Sequence, residues 1–157
     1  MKTILIDIIK EKVDISDNEI EILTSNFQII TKQKNEYLVI EGSKSLYLYF
    51  IIDGFVRYFH IDDGNEITTQ ISTTKDFVTS FESFLNNSFS KENIQCTSDC
   101  TLLRISKDEY QNLYREVSNW SIFCKSVYED QIRKISERAN SLQKLSASQR
   151  YLKLLNN

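Results

Sequence analysis

Residues Leu48 to Thr68 read LYFIIDGFVRYFHIDDGNEIT, and this stretch decides the fold. Two runs rich in β-branched and aromatic side chains are cut by Asp53-Gly54, and the second stops at Asp62-Asp63-Gly64-Asn65 before a third run, EITTQIS. Such runs, bounded by Asp, Asn and Gly, predict strands joined by tight turns. Upstream lie FQIIT from Phe27 and EYLVI, with turn signals at Lys34-Asn35 and Glu41-Gly42-Ser43; downstream lie NIQCT and TLLRIS. The even spacing from Phe27 to Ile105 predicts an all-β sandwich or roll. The rhythm breaks at DFVTSFESFLNNSFSKE, where Phe77, Phe81, Phe84 and Leu85 fit a short helix followed by a polar loop, a natural pocket wall. Phe77, Phe81, Phe84 and Phe89 are expected to seal the roll as core, the other reading being that they narrow or plug a pocket.

Helices flank this middle. Ile4, Leu5, Ile8 and Ile9 mark a short first helix. Ser16 with Glu19 forms a capping box, and Ile15 with Ile20 a hydrophobic staple, at the start of a second helix continued by Leu23 and Phe27. Ser106-Lys107-Asp108-Glu109 is another capping box, opening a helix with Tyr110, Leu113 and Tyr114. From Trp120 onward Tyr128, Ile132, Ile135, Ala139 and Leu142 recur at alternating spacings of four and three, an a/d seam that predicts a self-pairing helix and hence a homodimer. Glu129 with Arg133, and Asp130 with Lys134, are expected as i,i+4 pairs beside it.

The 157 residues, 41% hydrophobic and 26% charged, fit one ordinary globular core that needs no disulfide or structural metal. Three glycines and no proline exclude Pro-rich linkers and leave each glycine to mark a position where the backbone needs it. The net charge of −3 excludes a chain that is basic throughout, but it is unevenly spread: residues 131–157 carry +5 and the rest −8. No apolar stretch approaches a membrane span, and the N-terminal MKTILIDIIKEKV lacks the pattern of a signal peptide, so a cytoplasmic protein is expected. Cys96, Cys100 and Cys124 are odd in number and lack CxxC spacing, so free thiols are expected; Cys96 and Cys100, across the Ser98-Asp99 turn, leave a redox pair conceivable.

The order of two helices, eight-odd short strands interrupted by one small helix, then a long helix resembles the sensor domain of the Crp/Fnr transcription regulators, built on the cyclic-nucleotide-binding fold. Ile40-Glu41-Gly42 and LYFIIDGFVRYFHIDDGNEIT are similar to that family's glycine-punctuated β-roll. Cys96 to Ser106 resembles the strand pair that closes the roll, Asp108 to Val117 the helix after it, and Ser148 to Leu155 the segment leading toward a DNA-binding region. The resemblance implies a mainly β fold with flanking helices (α+β), a double-stranded β-helix or jelly roll. Residues 1–118 would be the sensor domain (helices in 1–27, β-roll 28–106, short helix 107–117), and 119–157 the long dimerisation helix and the start of a connection. It implies an effector-sensing, non-enzymatic homodimer that reaches DNA only through a helix-turn-helix. The sequence stops at Asn157 before one, so a piece of a longer regulator is expected, a stand-alone ligand-binding or interaction module being the alternative.

In cyclic AMP-binding members a Gly-Glu pair and a later Arg hold the ribose and phosphate. The corresponding positions here are Thr79-Ser80 and Ser90. A phosphate needs a bidentate cation or converging amides, and a serine offers one neutral hydrogen bond. Cyclic AMP is therefore not expected as effector, and no cofactor is. The candidate effector-binding residues are Thr79, Ser80, Glu82, Ser90 and Lys91, with Ser136 where the family contacts the base. The single histidine, His60, cannot supply the ligand set of a cupin-type metal enzyme, and the first cysteine, Cys96, lies too late for an N-terminal iron–sulfur site. No metal and no catalytic residue is expected.

Overall fold

The computed structural model describes residues 1–143 and Gln149, with side chains through Asn140 and at Gln149. It divides into a unit Met1–Ser121 and a second beginning at Ile122. In the first, α1 (Thr3–Lys12) and α2 (Asp17–Asn26) precede β1 (Gln28–Lys32), β2 (Tyr37–Val39), β3 (Tyr47–Asp53), β4 (Val56–Asp62), β5 (Asn65–Ser72) and β6 (Phe77–Val78). Then come α3 (Phe81–Asn86), β7 (Asn93–Cys96), β8 (Cys100–Ser106) and α4 (Lys107–Glu116). All strand pairs are antiparallel and form two four-stranded sheets, β1-β8-β3-β6 and β2-β7-β4-β5. This is the expected roll.

Alternation along the strands explains the core. Tyr49 and Ile51 on β3, with Leu102 and Cys100 on β8, face Val56, Tyr58, Ile94 and Cys96 from the other sheet. The intervening residues of the first sheet, Phe50 opposite Leu103 and Leu48 opposite Ile105, are buried as well, so this sheet is covered on both faces and reads as a continuous apolar run. Each large side chain so enclosed contributes roughly 1.5–3 kcal/mol of transfer free energy.

Both capping boxes form: Ser16 with Glu19 opens α2, and Ser106 with Glu109 opens α4. Glu19 has a second task, accepting hydrogen bonds from the Ser118 backbone N–H at 3.0 Å and hydroxyl at 2.9 Å. These bonds hold its carboxyl at a pKa of about 2. Asp63 and Gly64, with φ of 53° and 80°, make the two-residue hairpin between β4 and β5 that the sequence signals. Gly54 is the demanding glycine: its φ is 115°, and a Cβ there would lie 2.6 Å from Cys100 Sγ and 2.7 Å from the Asp99 carbonyl oxygen.

Two expectations are corrected. Phe77 is not in the short helix; the spacing of Phe77, Phe81 and Phe84 suits a helix, but Phe77–Val78 instead pairs with Phe50 and Tyr49 at the sheet edge. There the Phe77 ring packs 4.9 Å from that of Phe50. Phe89 is 66% exposed and seals nothing, whereas Phe77 and Phe84 are buried.

Among the described residues the second unit comprises the greater part of α5 (Trp120–Gln143) and Gln149. Ile132 and Ile135 are 63% and 62% exposed, Ala139 is exposed and Tyr128 half-buried. The Leu142 side chain, the Ser148–Leu155 segment as a whole and the basic Lys144, Arg150 and Lys153 lie outside the described residues. Arg133 pairs with Asp130 at 3.0 Å rather than with Glu129, which meets Lys125 at 4.0 Å. No helix among the described residues is long and apolar enough to cross a membrane.

Candidate functional site

The small helix α3 is fixed to the roll by hydroxyls. Thr79, fully buried at the end of β6, donates to the Tyr47 carbonyl at 2.8 Å and shares a 2.8 Å hydrogen bond with Ser45. Ser83 on α3 accepts the Ser45 backbone N–H at 2.8 Å and donates to the Ser88 carbonyl at 2.6 Å. Ser80 occupies the N-cap of α3 but makes no capping bond. Its hydroxyl lies 3.0 Å from that of Ser90, which also lies 2.8 Å from the Glu92 carbonyl and accepts the Glu92 backbone N–H at 3.2 Å. The Ser90 backbone is tied twice to the turn before β3, donating to the Ser43 carbonyl and accepting from Gly42 N–H. Ser80 and Ser90, each almost fully buried, thus spend their polar atoms on each other and on the backbone.

Beside this cluster lies a cavity of about 220 Å³, lined by His60, Thr69, Ser80, Glu82, Ser83, Phe89, Lys91 and Glu92. Strand geometry aims two of these inward. His60 follows Val56 and Tyr58 at period two on β4, sharing their face. Tyr58 donates to the Thr79 carbonyl at 3.4 Å, and burial raises its phenol pKa strongly. Thr69 is the extra residue of a β-bulge: Tyr58 pairs with Gln70 and Phe59 with Thr68. Burial also raises the Glu92 carboxyl pKa, with the charge of Glu82 acting in the same direction and His60 opposing it. No hydrogen bond or ion pair to the Glu82 or Glu92 carboxylate is found among the described residues.

Among the described residues no guanidinium lines the cavity. Arg57 is held by Gln95 at 2.7 Å and Glu66 at 2.9 Å and stacks on Phe59; Arg104 bonds Gln28 at 3.0 Å and covers Tyr47. Nor is any group of three or more His, Cys, Asp and Glu placed to hold a metal among those residues. Cys96, Cys100 and Cys124 are buried thiols outside any disulfide. Burial, with Cys100 beside it, pushes the Cys96 thiol up to about 12, the opposite of a reactive thiolate.

Of the candidates read from the sequence, Ser80, Glu82 and Lys91 line the cavity. Thr79 and Ser90 lie in the hydroxyl cluster instead, and Ser136 is exposed on α5 in the second unit. Sequence reasoning missed His60, Thr69, Ser83 and Glu92 as lining residues; Phe89 it placed at a pocket only as the second reading of the aromatic set. The period of FVRYFHI could have found His60; nothing short of the bulge could have found Thr69.

The model of a cyclic nucleotide-binding domain matches residues 30–117, and the chain belongs to that family. No curated protein sequence matches it significantly. Among solved structures, the catabolite activator protein of Thermus thermophilus superposes with a TM-score of 0.68 at 19% identity, over 82% of this chain and 60% of that one. The chain thus spans less than two thirds of that protein. The sensor domain of the transcriptional regulator DNR from Pseudomonas aeruginosa gives 0.66 at 15% identity, over 92% and 95%. A cyclic nucleotide-binding domain from Methylobacillus flagellatus gives 0.76 at 15%, over 87% and 80%. The fold is therefore that of Crp/Fnr sensor domains, mostly antiparallel β with flanking helices and a long helix at the end.

Proposed function

We propose that this chain is the effector-sensing, dimer-forming part of a Crp/Fnr-like transcription regulator, that its effector is not cyclic AMP, and that it acts by binding rather than catalysis. Contact with DNA would fall to a helix-turn-helix region. The observation that carries the reading is the pairing of Ser80 with Ser90 beside a 220 Å³ cavity in a cyclic nucleotide-binding domain. Those positions correspond to the acid and the arginine of the cyclic AMP binders, and their hydroxyls are consumed internally. A phosphate entering would meet Glu82 and Glu92, with Lys91 as the one ammonium among the lining side chains. Two carboxylates on the same cavity wall disfavour it. The cavity is also below the roughly 300–1,000 Å³ of drug-sized sites, which supports a small effector. For the dimer, the support is the seam of Tyr128, Ile132, Ile135 and Ala139, whose two isoleucines stand mostly exposed.

Thermal-shift screening of a metabolite library tests the sensor half. A ligand at about 100 times its Kd adds about 2.7 kcal/mol, roughly 5–11 °C for a chain of this length. At least one metabolite should give such a shift and cyclic AMP none. A cyclic AMP shift refutes the reading of Ser80 and Ser90, and a library without hits refutes effector sensing. In sedimentation the parent chain should run as a dimer and Ile135→Asp as a monomer; a monomeric parent refutes the seam.

A further inference from the structure

If the cavity is the effector site, its lining restricts what can fill it. Its charged groups are two carboxylates, Glu82 and Glu92, against the ammonium of Lys91, with His60 beside Glu92. They are not equivalent in depth. Lys91 and Glu82 are exposed, so each can turn its head into water, while Glu92 is half-buried and follows a backbone fixed by Ser90. The most withdrawn charge of the lining is therefore negative. Withdrawing a carboxylate from water without a partner costs free energy that a bound cation would return. The walls add an acceptor and a ring: the Thr69 hydroxyl oxygen, and Phe89 at the rim. The Phe89 face already draws one ammonium, with Lys44 Nζ 5.6 Å from its centroid.

We infer that the cavity takes a small metabolite bearing a protonated amine, with Glu92 as its principal counter-charge, Glu82 as the outer one and Phe89 as the apolar rim. This rests on the effector reading above and fixes the ligand's class. Nothing covalent is involved. The volume of about 220 Å³ favours an amine of a few carbons over one joined to a nucleotide.

The test is calorimetric titration of the chain with ethanolamine, putrescine and agmatine, with cyclic AMP and inorganic phosphate as anionic controls. At least one amine should bind. Glu92→Gln, nearly isosteric, should weaken it tenfold or more, and Glu82→Gln less. Glu11→Gln, the same change at an exposed carboxylate on α1, should leave it unchanged. The melting curve of Glu92→Gln shows independently that the variant folds. Silence from all three amines overturns the inference, as does amine binding that Glu92→Gln leaves intact. In either case a hit among neutral or anionic compounds of the metabolite library keeps the effector reading and discards only the ligand class. A library empty of hits removes both.

Discussion

Replacing Gly54 by alanine should be the most damaging single methyl addition in the roll. The position joins β3 to β4 with φ at 115°, and the new Cβ would sit 2.6 Å from Cys100 Sγ and 2.7 Å from the Asp99 carbonyl oxygen. Two costs add. Backbone strain for a side chain in this region is of order 1–3 kcal/mol, and crowding a packed site costs a further 1–3 kcal/mol. Asp99 and Cys100 cannot simply step aside. The Asp99 side chain accepts the Lys34 backbone N–H at 2.9 Å, and Cys100 is paired to Lys32 on β1. About 4 kcal/mol is expected, a fall in Tm of roughly 8–16 °C for a chain of this length. Gly64→Ala is the control: its φ is 80° but, its chain neighbours aside, nothing lies within 4 Å of where a Cβ would stand, so only the strain applies, about 1–2 kcal/mol. Urea unfolding of both variants, read by Trp120 fluorescence, decides the matter. A Gly54→Ala loss no larger than that of Gly64→Ala would show that the turn yields and that close approach to Cys100 is not what holds the residue there.

Ser90→Ala removes the hydroxyl between Ser80 and Glu92, leaving the Glu92 backbone N–H without that acceptor, and should cost about 1–2 kcal/mol in urea melts; no loss would mean that the hydroxyl cluster does not anchor α3. Glu92→Gln should raise Tm at pH 8 and leave it nearly unchanged at pH 4. Burial lifts the folded carboxyl's pKa above its unfolded value, so the ionised group opposes folding only once pH exceeds that value; equal effects at both pH values would refute this. Glu19 has the opposite sign. With a folded pKa of about 2 against an ordinary value near 4.5, its contribution is complete above about pH 5 and fades as the pH falls toward 2. Glu19→Gln should flatten that part of the Tm-against-pH curve.

The roll was legible because its signals are local. Composition marks each strand, and Asp53-Gly54 and Asp62-Asp63-Gly64-Asn65 mark turns whose φ values require glycine. Both capping boxes could be read from four residues each. What sequence could not give was set by distant partners. Phe77 and Val78 become a strand because β3 presents a free edge there, and no feature of Asp76 to Ser80 announces it. The site divides the same way. Ser80, Glu82 and Lys91 were found by position in the cassette, whereas Glu92 needs the Ser90 turn, and Thr69 the bulge opposite Tyr58, to reach the cavity. The charge balance of the cavity was hidden with them.

The bulge at Thr69 separates the two ends of the β4–β5 hairpin in an unexpected way. Pairing is offset by one residue on either side of it, Phe59 with Thr68 toward the tip and Tyr58 with Gln70 toward the base. Removing one residue from β5 would let the ladder close without a step, and the cavity would lose a wall while the tip kept its turn. The extent of this cavity is therefore tied to the length of one mostly exposed strand.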